Sequence, residues 1–237
     1  MGAGYAAELN RQLPLVQDAE LNRYMNVLGD SIARIADTRN LDWQFYIVDS
    51  PDVNAFAVPG GFIYMNRGLI ERATNLSQVA GVLGHEVAHV TRRHSIKQMQ
   101  KAQGTNIGML GVCIFTSMCN TEAGAQLMGL GANVAMASFS RADEDDADAF
   151  GVQYMIDAGI DPTGIPEMFQ ILLDERKRKP EGLETWFTSH PLEESRIANA
   201  RARIQAYPPE KLVGLTKDSP NFQAFQRRLK ALPPSPR

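Results

Sequence analysis

At 237 residues, 44% of them hydrophobic, the chain can bury a sizeable core as one domain, or as one domain with an appended tail. A formal net charge of −3 with no basic stripe excludes nucleic acid as the main partner. Met1-Gly2-Ala3-Gly4 lacks the basic start and apolar run of a signal peptide, so these residues do not name a compartment.

Residues 5–38 carry Leu9, Leu13, Leu21, Tyr24, Met25, Leu28, Ile32 and Ile35 at mostly helical spacing, interrupted by Pro14. This predicts one short and one long amphipathic helix packed over the domain. Trp43 to Val48 predicts a strand. From Asn54 to Met65 two short apolar runs meet at Pro59-Gly60-Gly61, which predicts a hairpin and, with the preceding strand, a small antiparallel sheet. Pro59 predicts an exposed edge near the turn. Such an edge either accepts an extended peptide as an added strand or is purely structural.

The next stretch, His85-Glu86-Val87-Ala88-His89, carries chemistry. On a helix the two imidazoles stand one turn apart on the same face and reach one metal ion, with Glu86 beside them to take a proton from water. Zinc is the metal that this ligand pattern suits. Asn75 and Gln78 predict a capping box ahead of Val79, Val82, Leu83, Val87 and Val90. Gly81 and Gly84 inside this helix each cost about 1 kcal/mol relative to Ala, which predicts a neighbouring backbone at close range. His94, five residues past His89, projects away from the ligand face of a continuous helix and is expected to pair in the core or at the surface.

Residues 102–121 and 123–140 lack charged side chains but are too polar or too rich in small residues for a convincing membrane span. They are expected to form a helical excursion or flap over the site. Cys113 and Cys119 within them are expected to be free thiols. In Ser140-Arg141-Ala142-Asp143-Glu144-Asp145-Asp146-Ala147-Asp148, helical projection puts Glu144 and Asp148 on an inward face and Asp143, Asp145 and Asp146 elsewhere. A buried acid pair needs a partner. Either Glu144 is the third metal ligand with Asp148 fixing a ligand histidine from outside, or the two exchange roles; without the histidine motif the segment reads as an acidic surface helix. Pro162 opens a helix through Asp174, the basic run Glu175 to Lys179 reads as a solvated helix end, and Leu192 to Tyr207 is helical. Beyond Pro208, proline pairs flank one short helix in a linker-like appendage that is expected to be ordered only by docking.

His-Glu-Val-Ala-His, followed by Ser140-Arg141, Glu144 and Asp148, resembles the gluzincin metallopeptidases of the HtpX and CAAX-prenyl-protease group, in their soluble, mostly bacterial periplasmic branch. Asn54-Ala55-Phe56-Ala57 with Pro59-Gly60 is similar to that family's substrate-lining edge strand. Ser189-His190-Pro191 with Arg196 is similar to its C-terminal His-Pro signature. The resemblance covers residues 5–206. It implies an α+β, mostly α, zincin-like domain over residues 1–207, with a small antiparallel sheet beside the metal-binding helices and an appendage over 208–237.

The resemblance further implies one zinc ion on His85, His89 and Glu144, Glu86 as general base, and Asp148 orienting a ligand histidine. His190 is implied close to the metal, either at the oxyanion or in the metal's open position, with Arg196 supporting the same pocket. Asn54, Ala55, Phe56 and Ala57 are implied to bind substrate. The expected function is a zinc-dependent endopeptidase acting on unfolded or mobile polypeptide segments in envelope protein quality control. Its expected place is the bacterial periplasm, in association with membrane or envelope proteins and with the signal sequence missing from this chain. The alternative is a latched zinc-containing binding or chaperone-like protein with little peptidase activity.

Overall fold

The computed structural model describes residues 2–103, 139–179 and 181–235. In chain order these form α1 (Gly2–Gln12), α2 (Ala19–Ala36), β1 (Gln44–Val48), β2 (Ala55–Val58), β3 (Phe62–Asn66), α3 (Arg67–Arg72), α4 (Leu76–Thr91), α5 (His94–Gln103), α6 (Arg141–Asp157), α7 (Gly164–Arg178), α8 (Glu184–Ser189), α9 (Glu194–Gln205) and α10 (Pro220–Lys230). The helical excursion expected over residues 102–140, with Cys113 and Cys119, lies outside the described residues except at its two ends. No helix among the described residues is long and apolar enough to cross a membrane.

The long amphipathic helix α2 starts at Asp18, whose carboxylate accepts the Glu20 and Leu21 N–H groups at 3.0 and 3.1 Å. Its inner face, Leu21, Met25, Leu28, Gly29, Ile32 and Ala33, covers the sheet. Asn26 joins the two layers: its amide donates to Phe45 O at 2.9 Å and accepts from Phe45 N–H at 3.0 Å. Val16 N–H donates to Ile47 O at 2.9 Å. The outer edge of β1 is therefore closed to further strands.

The strand order is β1-β3-β2. β2 and β3 form the predicted hairpin, antiparallel from Ala55↔Met65 to Val58↔Phe62, with Gly60 and Gly61 at φ 110° and 99° in its turn. β1, however, pairs with β3 in parallel, from Gln44↔Phe62 to Val48↔Asn66. The sheet is mixed rather than wholly antiparallel. The chain leaves β1, skips one strand position to lay down β2, and returns through β3 in the gap. Packing fixes that crossover: Gly68 N–H donates to Ser50 O at 2.9 Å, and a Cβ on Gly68 would stand 2.0 Å from Pro51 O.

α4 is buried on every side from Leu76 to Val90. A Cβ on Gly81 would meet Ile165 Cγ1 at 2.9 Å and its backbone N at 3.0 Å; one on Gly84 would meet Gly151 O at 3.3 Å. The backbones of α7 and α6 are the close neighbours that these glycines admit. The N-terminus is capped as expected in part: Asn75 accepts Gln78 N–H at 3.2 Å, but the Gln78 carbonyl reaches Thr74 N–H at 2.8 Å, one residue short of the cap residue's own N–H.

The segment beyond residue 207 docks onto the domain. Phe222, Phe225 and Leu229 of α10 are buried in the principal core, and Tyr24 stacks on Phe225 at 4.6 Å. Gln226 donates to Ile70 O and Ala73 O at 3.2 and 2.5 Å. Lys217 O accepts Ser77 N–H at 2.9 Å and Asp218 accepts Leu76 N–H at 3.1 Å. The tail thus satisfies first-turn donors of α4 that a helix cannot satisfy itself.

Candidate metal centre

Four elements converge at the C-terminal half of α4. His85 and His89, one turn apart, bring their Nε2 atoms to 2.9 Å. Glu144 and Asp148, one turn apart on α6, face them; α6 starts at a capping box of Ser140 and Asp143. Glu144 lies 3.3 Å from His89 Nε2 and 3.6 Å from His85 Nε2. His190 ends α8, where Pro191 disfavours further helix. Its Nδ1 stands 3.3 Å from His85 Nε2 and 3.1 Å from Glu144. His85, His89, Glu144 and His190 offer ligand atoms all within 4.8 Å of one another, and all four residues are buried.

The donor set fits one zinc ion. Nitrogen and oxygen ligands at about 2.0–2.2 Å in a tetrahedron lie roughly 3.3–3.5 Å apart; the spacings here run from 2.9 to 3.6 Å. Burial drives the His89 imidazole well below its ordinary pKa, keeping it neutral and its lone pair available. Burial alone would raise the Glu144 carboxyl, but His190, His85 and His89 outweigh it and hold Glu144 well below the usual carboxylate range. His190 is pulled down by burial and up by Glu144 and Glu86, and the carboxylates win.

Around this set the polar atoms divide sharply. Asp148 Oδ1 lies 2.9 Å from His85 Nδ1, and the Arg196 guanidinium grips both Asp148 oxygens at 2.8 and 2.7 Å. Arg196 also reaches Glu144 Oε2 at 2.5 Å and Pro191 O at 3.0 Å, with its flat face 4.7 Å over Phe169. Its charge is thereby spent on the two carboxylates. Burial favours a neutral Asp148, but Arg196 and His85 together keep its pKa below the ordinary value. Glu86 is the opposite case: it is fully buried, neither of its oxygens has a hydrogen-bond partner among the described residues, and burial pushes its carboxyl up. The Nε2 of His190, without a hydrogen bond among the described residues, faces it at 3.5 Å.

Asn54 to Ala57 lie at and within the edge strand β2. They are buried, and only the hairpin turn at Gly60 is exposed. Among the described residues β2 pairs with β3 alone, so its other edge is unpaired by them. His94 is buried and paired, as expected, and lies outside the donor group, but one of its partners is a candidate ligand histidine. α4 ends at Thr91, Arg93 takes φ 61°, and the chain turns back so that His94 Nδ1 lies 3.0 Å from His89 Nδ1. Thr91-Arg92-Arg93 contains no glycine or proline to announce this reversal. Two aromatic walls were also missed: Phe139, 3.9 Å from the His89 ring, and Trp186, 4.6 Å from the His190 ring.

Residues 17–204 match the model of peptidase family M48. The beta-barrel assembly-enhancing protease of Yersinia pestis is 35% identical over 219 residues, covering 88% of this chain and 44% of that protein. Its counterpart in Escherichia coli (strain K12) is 36% identical over 219 residues, with the same coverage of 88% and 44%. Metalloprotease LoiP of the same strain is 30% identical over 188 residues, covering 78% of this chain and 70% of that protein. The chain spans less than half the length of the first two relatives.

Proposed function

The chain belongs to peptidase family M48, and from that premise we propose that it is a zinc-dependent endopeptidase that cuts unfolded or mobile protein segments. The observation that carries this is Glu86: a buried carboxylate with neither oxygen hydrogen-bonded among the described residues, in the same helix as two histidines of a four-donor cluster. A purely structural metal site has no use for such a group.

His85, His89 and Glu144 hold the zinc ion in this proposal. The ion supplies Lewis-acid chemistry, polarising a carbonyl and making water a stronger acid. Glu86 takes the proton of the attacking water and holds it until the carbon–nitrogen bond breaks, when it passes the proton to the departing amine. Asp148 accepts the His85 Nδ1–H and so keeps the Nε2 lone pair on the metal side; Arg196 fixes Asp148 and Glu144 rather than touching substrate. The unpaired edge of β2, at Asn54 to Ala57, takes the substrate backbone as an added strand, which selects extended segments. The names of the enterobacterial relatives support clients among envelope proteins undergoing β-barrel assembly, and hence a periplasmic or envelope-associated place.

A latched site is the alternative, and one observation favours it: His190 Nδ1 already stands with the other three donors. Four protein ligands leave zinc no open position. In the resting chain His190 then occupies the site and must swing aside for substrate. Casein hydrolysis by the zinc-loaded chain, with Glu86→Gln and His190→Ala variants and metal content measured for each, separates the two. A wild type that cuts and a Glu86→Gln variant that retains zinc without cutting support the peptidase. A silent wild type with an active His190→Ala supports the latch, and no cutting by any zinc-loaded form removes the peptidase proposal.

A further inference from the structure

The two ligand histidines of α4 are supported from behind by different chemistry. His85 donates to an ionised carboxylate that Arg196 clamps. His89 instead meets another imidazole: His94 Nδ1 is 3.0 Å from His89 Nδ1, and His94 Nε2 is 3.1 Å from Asp146 Oδ2. His94 is 1% exposed. Asp146 is itself held by Arg92 at 2.7 Å, and Asp143 stands 3.8 Å from His94 Nε2.

Two Nδ1 atoms at 3.0 Å share one proton, and either ring can own it. If His94 owns it, neutral His89 must carry its own proton on Nε2, the atom that faces His85 and Glu144, and cannot ligate. If His89 owns it, its Nε2 lone pair is free, His94 accepts at Nδ1, and the His94 proton sits on Nε2 facing the Asp146 carboxylate. Only the second arrangement matches donor to acceptor at both His89–His94 and His94–Asp146 while leaving a metal ligand.

We propose that His94, backed by Asp146, is the positioning residue that fixes His89 as its Nδ1–H tautomer and so completes the metal site. This rests on the zinc-site proposal above. The left-handed Arg93 is what makes it possible, because without the reversal at φ 61° His94 would continue around α4 and face away. His89 is thus held by a carboxylate one ring removed, where His85 is held by one directly.

The test is zinc affinity of the metal-stripped full chain, by competition with a chromophoric chelator, for wild type, His94→Phe and His94→Asn. Phe fills the space without an acceptor, whereas the Asn side-chain oxygen takes the place of Nδ1. His94→Phe is expected to weaken zinc binding about 10–100-fold, and His94→Asn to recover most of the loss. Nitrogen-15 NMR of the zinc-loaded wild type is expected to find His89 protonated on Nδ1 and His94 on Nε2. The NMR decides by itself if His94→Phe does not fold. Zinc binding by His94→Phe equal to wild type, no recovery in His94→Asn, or a His94 proton on Nδ1 overturns the proposal. A wild type that binds no zinc removes the metal site and this role together, an outcome distinct from a zinc-binding wild type with equal variants.

Discussion

The two ends of α4 handle buried polar groups in opposite ways. At the N-terminal end every group is matched: Asn75 and Gln78 cap the helix and reach Glu167, Lys217 O and Asp218 take first-turn N–H groups, and Lys217 closes on Glu167. At the C-terminal end Asp148 and Arg196 are saturated, but Glu86 and His190 Nε2 have no hydrogen bond among the described residues. Saturated polar groups hold a helix in place, and buried open ones are available to exchange protons. One helix thereby has an anchored end and, on the peptidase proposal, a reactive end.

If this division is right, changes at the reactive end alter turnover and changes at the anchored end alter stability. Glu86→Gln gives the largest effect: hydrolysis falls by about 10²–10⁴-fold or more, as for loss of a general base, with zinc content and melting temperature close to wild type. A melting temperature that moved with the activity would sink the division. Gly164→Ala comes next, since its Cβ would stand 2.0 Å from Ser77 O, at the anchored end. Overpacking there is expected to destabilise by about 3 kcal/mol in denaturant unfolding.

Asp218→Ala removes the acceptor for Leu76 N–H and is expected to lose about 1 kcal/mol, while kcat per bound zinc stays unchanged. A drop in kcat would mean that the tail reports directly to the site. The smallest effect is in pH dependence. Burial raises the Glu167 carboxyl, but Lys217, Gln78 and Asn75 outweigh it and hold it below the ordinary value. A lowered folded-state pKa contributes stability that is present above the unfolded value of about 4.3 and is lost as pH falls through the folded one. Melting scans of Glu167→Gln against wild type should therefore converge as pH falls below that value and separate above it.

The sequence alone determined what is local. Helical spacing with an N-cap located α4, alternation and Pro-Gly-Gly located the hairpin, and projection put Glu144 and Asp148 on one inward face, because each of these is set by backbone geometry over a few residues. His85 with His89, and Glu144 with Asp148, were readable as pairs for the same reason, each within its own helix; that Glu144 rather than Asp148 joins the two histidines was implied by the resemblance to the metallopeptidase family.

Tertiary structure decided what depends on which surfaces meet. Nothing in the alternation of Gln44 to Val48 states whether β3 runs parallel to it; the crossover packed at Gly68 does. Nothing in a proline-flanked tail states that Phe222 and Leu229 will enter the core, or that Lys217 and Asp218 will cap a helix far back in the chain. His94 was expected to pair away from the ligand face, and it does lie outside the donor group, but that its partner is His89 was decided by a left-handed Arg93 with no local marker. Backbone hydrogen bonding repeats over three or four residues and leaves its period in the sequence; contacts between distant surfaces have no period to leave.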